Sequence, residues 1–369
     1  MKSCYDMSDT LKRKAIDDPQ CPSVRPRGHF RPQPTIRWSI EPNSIDSILR
    51  DNSRDRLYVP PVAWTMRHLR LLGCGFTLRT SKRKDRPHSQ AVILDSPVHD
   101  LPKPNLSADL RRAMLQFGGR RTLEVKKTAI KEILGAYGFS RLSYESLSFY
   151  FRQQPVASVW TEGVFSRDST GPSLAYVTFD GIQSRRSKFV HNSTGKGFNE
   201  PVFRTCDKKL RSLQPANTVE DLYIMGILIA LAQEQRRHRQ RNEEQGEEAA
   251  ECSIMQREDG DTTNSTSSST PPRFGTDRSP HYCGQCFRVA VLATSEVKDE
   301  CLYVYTASIS VEFLRKFDEP WRSSPNSPVV IEYYPISLGS PMKSLNKLHR
   351  VLFAESCRFC AGDSPQALG

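Results

Sequence analysis

Leu222-Tyr223-Ile224-Met225-Gly226-Ile227-Leu228-Ile229-Ala230-Leu231-Ala232 is the stretch on which the fold turns. Eleven residues without a charge, preceded by Thr218 and Asp221 in capping-box spacing, predict a helix whose whole circumference is apolar. Such a helix has no side that water can cover, so it must be enclosed by other elements. The residues that follow offer no cover. Arg236 to Glu251 is a mixed charge run, and Asp261 to Thr270 is a polar tract ending at Pro271 and Pro272. A stretch of that composition does not offset its ordering entropy by burial, so 233–280 reads as a disordered insertion. The expected cover is the β-rich runs beyond residue 285, making 38–232 and 281–360 two parts of one core; the alternative is two independent domains, which would leave that helix exposed. Closure entropy grows only logarithmically with loop length, so the interruption costs little. Residues 1–37, with five prolines among their arginines, read as a disordered basic leader, and 361–369 as a tail.

Working outward, local signals place most of the remaining elements. Short helices are predicted at Ser44 to Asp51 and within Val59 to Leu72, where Pro60 and Pro61 suit a helix entrance and Gly73 and Gly75 an exit. A strand is expected at Gln90 to Leu94. Ser107 precedes a helix from Ala108 to Phe117, and Thr122 precedes one carrying Ile130, Ile133 and Leu134 on one face. Val156 to Phe165 and Leu174 to Phe179 read as a hairpin around Asp168 to Pro172, and Gln183 to Arg204 as a long polar loop. Past the insertion, Phe287 to Ala293 pairs with Leu302 to Thr306. Ser310 caps a helix to Phe317, Val329 to Tyr334 is a strand, and Ser340-Pro341 opens a final helix. Strands and helices alternate without βαβ regularity. The predicted class is α+β, a mixed or antiparallel sheet packed on a buried apolar helix.

Composition narrows function without naming it. The chain has 53 Lys and Arg against 41 Asp and Glu, a formal charge of +12. Within residues 1 to 90 the tally is 18 against 9, so most of the surplus lies at the front. Such a field attracts anionic partners, protein or nucleic acid, without choosing between them. Lys12-Arg13-Lys14 and Lys82-Arg83-Lys84 have the composition of nuclear import signals, and Arg185-Arg186-Ser187 that of a basophilic kinase site. The first residues lack an apolar run, and no apolar stretch reaches the roughly 20 residues needed to span a bilayer. The expectation is a cytoplasmic or nuclear protein with reduced cysteines and no membrane partner.

Chemistry-bearing patterns are sparse. Cys283-x-x-Cys286 and Cys357-x-x-Cys360 bracket the C-terminal part, and four thiolates of that kind complete a tetrahedral structural zinc site, to which His281 is near enough to contribute. The first pair also has the frame of a redox dithiol, but a β-run follows it where that chemistry wants a helix. Asp95 with Glu124-Val125-Lys126 resembles the Asp, Glu-x-Lys pattern of restriction-type nucleases, which implies metal-assisted phosphodiester hydrolysis on a degenerate version of that fold. Glu162 and Asp180, beside the predicted hairpin, are candidates to face each other. Gly195-Lys196-Gly197 lacks the spacer and hydroxyl residue of a phosphate loop, and no Gly-x-Ser-x-Gly or His-Glu-x-x-His occurs.

Two C-terminal stretches, Tyr303-Val304-Tyr305-Thr306-Ala307-Ser308-Ile309 and Phe313-Leu314-Arg315-Lys316-Phe317-Asp318-Glu319-Pro320, resemble uncharacterised, lineage-specific proteins of filamentous fungi. The resemblance extends over about the last 150 residues, including the apolar helix, and implies no particular activity. The expected function is therefore a non-catalytic interaction protein with a basic surface. The alternative is an accessory protein or enzyme of a specialised fungal pathway.

Overall fold

The computed structural model describes residues 39–79, 108–167, 171–192, 199–255, 286–295, 301–324 and 328–353. Helix α1 (Ile45–Asp51) starts where the Ser44 hydroxyl accepts the Ser47 N–H. A 3-10 turn at Pro61–Ala63 leads to α2 (Met66–Leu72), which Gly73 ends at φ +69° before β1 (Cys74–Leu78). Then come α3 (Ala108–Gly118), α4 (Leu123–Ala136), β2 (Phe139–Arg141), β3 (Ser146–Phe151), β4 (Gln154–Trp160), β5 (Gly163–Arg167) and β6 (Pro172–Thr178). Helices α5 (Phe179–His191), α6 (Glu200–Leu213) and α7 (Leu222–Met255) follow. The rest is β7 (Cys286–Thr294), β8 (Cys301–Ser310), α8 (Val311–Asp318), β9 (Val329–Ser337) and α9 (Pro341–Phe353).

Seven strands form one mixed sheet in the order β1-β9-β8-β7-β6-β5-β2, parallel at β1/β9 and β6/β7 and antiparallel elsewhere. The fold is α+β. The central strands alternate between two apolar layers, and so carry near-continuous hydrophobic runs. On β7, Val289, Val291 and Ala293 face α7, whereas Ala290 and Leu292 face α3, α4 and α9. On the far side of α7 lies a separate antiparallel ribbon, β3 with β4, whose Leu147, Phe149 and Phe151 close the sandwich.

Enclosure of α7 is complete over its first three turns: Leu222 to Ala232 are all buried, Ile224, Ile227, Leu231 and Ala232 fully so. Seven large aliphatic side chains, at about 1.5–3 kcal/mol each, contribute roughly 10–20 kcal/mol of gross transfer free energy at this one helix. Gly226 permits the closest approach, since a Cβ there would lie 2.6 Å from Pro61 Cβ. Tyr223 fastens the helix to the ribbon, its hydroxyl accepting the Trp160 N–H and donating to the Trp160 carbonyl.

Four sequence expectations are corrected. The predicted insertion does not begin at 233, because α7 runs unbroken to Met255; residues 256–280 lie outside the described residues. Gln, Glu and Arg are good helix formers, and their side chains find tertiary partners that a composition argument does not see. The Gln233 amide accepts the Tyr150 N–H and donates to the Tyr150 carbonyl, Gln235 donates to the Arg288 carbonyl, and Arg236 pairs with Asp318 at 2.5 Å. Val156 to Phe165 is two strands in two different sheets, split at Thr161 and Glu162, and β5 alone pairs with β6. The polar loop is largely α5 and α6. The cap of α7 is Asp221, whose carboxylate accepts the Tyr223 N–H; Thr218 belongs to a preceding 3-10 turn. The strand expected at Gln90 to Leu94, the leader and the tail lie outside the described residues.

Candidate functional site

Two places concentrate features that packing alone does not require. The first is at the head of α5, where β6 ends. Thr178 caps the helix by accepting the Gly181 N–H, and the Glu162 carboxylate lies against that end. One Glu162 oxygen accepts the Thr178 N–H at 3.3 Å and the other accepts Arg185 Nη2 at 3.1 Å. A Cβ on residue 181 would come within 2.5 Å of Glu162 Oε1, so the carboxylate occupies room that only glycine leaves. Glu162 is 5% exposed. Burial pushes its pKa up from 4.5, against the opposing pull of the Arg185 charge and the Thr178 N–H. Asp180 lies in the first turn of the same helix and accepts the Ser295 hydroxyl at 3.4 Å. The two carboxylates thus gather at one helix head with different partners. One turn on, Arg186 is fully buried, bidentate to Asp221 at 2.5 and 2.6 Å, and linked to the Val62 carbonyl.

The second place is a cavity of about 180 Å³ between the N-terminal segment 45–72, the β3–β4 ribbon and α8. Trp64, Phe149 and Phe317 make an aromatic wall, with Trp64 edge-on to Phe149 at 5.4 Å and Phe149 edge-on to Phe317 at 5.5 Å. Ile48, Leu49 and Phe151 line other sides. His68 is the one lining residue with an imidazole, and its hydrogen bonds fix the ring. Nδ1 accepts the Thr65 N–H at 2.9 Å, so the proton is on Nε2, which donates to the Leu57 carbonyl at 3.1 Å. Burial holds its pKa below 6.5. The Trp64 indole N–H donates to the Val59 carbonyl.

Apart from Glu162, Asp180 and the Arg185-Arg186 pair, the residues singled out from sequence fall elsewhere. Of the four thiols, Cys286 opens β7 half-buried, and Cys283, Cys357 and Cys360, with His281, lie outside the described residues. The ends of the segment those pairs bracket do adjoin, since Arg288 on β7 donates to the Val351 carbonyl in the last turn of α9. Asp95 is outside the described residues. Glu124 and Lys126 share helix α4 and point apart, Glu124 outward beside Lys127 and Lys126 into the protein at 2% exposure, so they do not form the paired-strand arrangement of a nuclease. Among the described residues no three His, Cys, Asp or Glu side chains converge as metal ligands. Both basic clusters, at 12–14 and 82–84, lie outside the described residues. Arg185-Arg186-Ser187 is unreadable to a kinase in the folded state, because Arg186 is sealed in its ion pair.

Sequence reasoning missed the cavity and the buried status of Glu162 and Arg186. A signal existed for one wall. Ser146-Leu147-Ser148-Phe149-Tyr150-Phe151 alternates at period two, which marks β3. No single helix among the described residues is long and apolar enough to cross a membrane. Comparison of the chain with protein-family models, curated proteins and solved structures finds no match.

Proposed function

We propose that this chain is a non-catalytic interaction protein of the cytosol or nucleus that meets an anionic partner through its positive surface. The observation that carries the reading is how charge is partitioned. The interior ion pairs Arg186–Asp221, Arg185–Glu162 and Arg236–Asp318 each match one cation with one anion, so they take nothing from the chain's +12 surplus. Two helices present cations in local clusters. Exposed Lys208, Lys209 and Arg211 follow one another along α6, and on α7 the Arg237 guanidinium stacks 3.7 Å over Tyr150, with Arg241 a turn further. Flat guanidinium groups on aromatic rings and short runs of exposed cations suit phosphate and carboxylate partners.

The test is fluorescence anisotropy of the full chain against single-stranded and duplex oligonucleotides and an acidic peptide, between about 0.05 M and 0.2 M salt. Expected is binding with a steep salt slope. In a Lys208→Glu, Arg211→Glu variant the slope for duplex should fall by about 0.9 for each phosphate no longer neutralised. Indifference to every polyanion at about 0.05 M salt would remove the reading.

A further inference from the structure

We propose that the cavity between the N-terminal segment and the β3–β4 ribbon is a binding site for a small, uncharged ring compound. Three observations carry this. The first is chemistry. Seventeen residues line the space, and only Tyr58, Trp64 and His68 among them carry a polar side-chain atom. The Trp64 N–H and both His68 nitrogens are already engaged with the backbone groups of Val59, Thr65 and Leu57. The lining therefore offers a charged ligand no counter-charge, and burying such a group unpaired is costly.

The second is size. A space of about 180 Å³ is comparable to the roughly 150 Å³ of an apolar cavity that stays dry and takes up benzene, which sets the ligand at one ring or two fused rings. It is too small for a helix or strand of a partner protein. The edge-on rings of Trp64, Phe149 and Phe317 present the geometry in which a further aromatic ring packs well.

The third is the entrance. The ribbon register jumps from Phe149↔Ala157 to Tyr150↔Pro155, leaving Val156 as the extra residue of a β-bulge. The bulge re-aims Val156 so that it lines the cavity together with Ala157, although neighbours on a regular strand point to opposite faces. Val156 is 44% exposed and Tyr58 64%, so the lining reaches the protein surface at these two residues.

The inference is independent of the charge-based reading, and its test uses neutral probes at a salt concentration that suppresses polyanion binding. Methyl-labelled full-length protein is titrated with indole and with naphthalene, with octanoate as the charged control. Indole and naphthalene should shift the methyl resonances of Ile45, Ile48 and Leu49 and leave Ile331 of the sheet unmoved; octanoate should shift none. Val156→Trp, which narrows the mouth at an exposed position, should weaken indole binding at least tenfold. Should that variant fold poorly, the wild-type shift pattern decides alone. Unmoved Ile48 and Leu49 at saturating indole overturns the proposal. So does equal binding by Val156→Trp, tighter binding of octanoate, or a wild-type cross-peak from Leu49 to a residue that is neither in the cavity walls nor packed against Leu49 in the fold, which would identify the chain itself or a second copy as occupant.

Discussion

Arg186 and Asp221 give the sharpest test of the interior. Both side chains are at most 1% exposed, two charge-assisted hydrogen bonds of 2.5 and 2.6 Å join them, and Asp221 also caps α7 through the Tyr223 N–H. Replacing Arg186 by Met keeps a long apolar stem but leaves a buried carboxylate without its cation. That class of change costs about 3–5 kcal/mol. Asp221→Leu strands the guanidinium instead and also removes the cap, worth about 1 kcal/mol more. The double variant carries no uncompensated charge, so it should lie near the wild type apart from the cap, and the two singles together should cost about 6–10 kcal/mol more than the double. With an m-value of about 3 kcal/mol/M, each single variant should lower the urea midpoint by about 1 M or more, and the double should recover most of it. Equilibrium urea unfolding followed by tryptophan fluorescence and by far-UV circular dichroism measures all four proteins. If Arg186→Met costs under about 1 kcal/mol, or the double variant equals the sum of the singles, the two side chains do not act as one buried unit.

Three further outcomes rest on individual side chains. Gly226→Ala gains about 1 kcal/mol of helix propensity but drives a methyl to 2.6 Å from Pro61 Cβ, and overpacking costs about 1–3 kcal/mol, so thermal melts should show net destabilisation; a raised melting temperature contradicts the packing. Burial raises the Glu162 pKa, so its contribution is fully present below the unfolded value of 4.5 and is lost as pH rises through the folded one. The stability of the wild type minus that of Glu162→Gln should therefore fall as pH rises above 4.5, and a gap that widens instead is the contrary result. For His68 the shift is downward, so its contribution is present above 6.5 and is lost as pH falls through the folded value. An NMR titration of the ring should show a midpoint below 6.5 and a proton on Nε2, and a midpoint above 6.5 refutes the assignment.

Legibility of the site followed the sequence range over which its groups interact. Glu162 was visible as a carboxylate beside a strand, but its burial depends on α5 returning over it, with Gly181 nineteen positions away leaving the space and Arg185 supplying the charge. Arg186 in sequence is one of a basic pair. Only the approach of Asp221 and Val62 from either side makes it an interior group. The cavity draws its wall from Trp64, Phe149 and Phe317, residues that no local pattern links.

Amino-acid order alone determined the elements whose causes are local. The short helix near Ser44, the Ser310 cap, the apolar run from Leu222 to Ala232, the helix α3, the apolar face of α4 and the strands β7, β8 and β9 each follow from neighbours within a few positions. That the apolar helix required enclosure also followed, because a helix without a polar side has nowhere else to be stable. Tertiary structure decided what encloses it, the ribbon on one side and β6 and β7 on the other, and which strands run parallel. It also decided how far the helix extends. The residues from Gln233 onward are polar by composition, and their place in the helix is fixed by partners such as the Tyr150 backbone and Asp318 that lie 83 and 82 positions away. Side-chain periodicity specifies which face seeks burial, whereas the identity of the partner depends on long-range packing that a one-dimensional pattern does not encode.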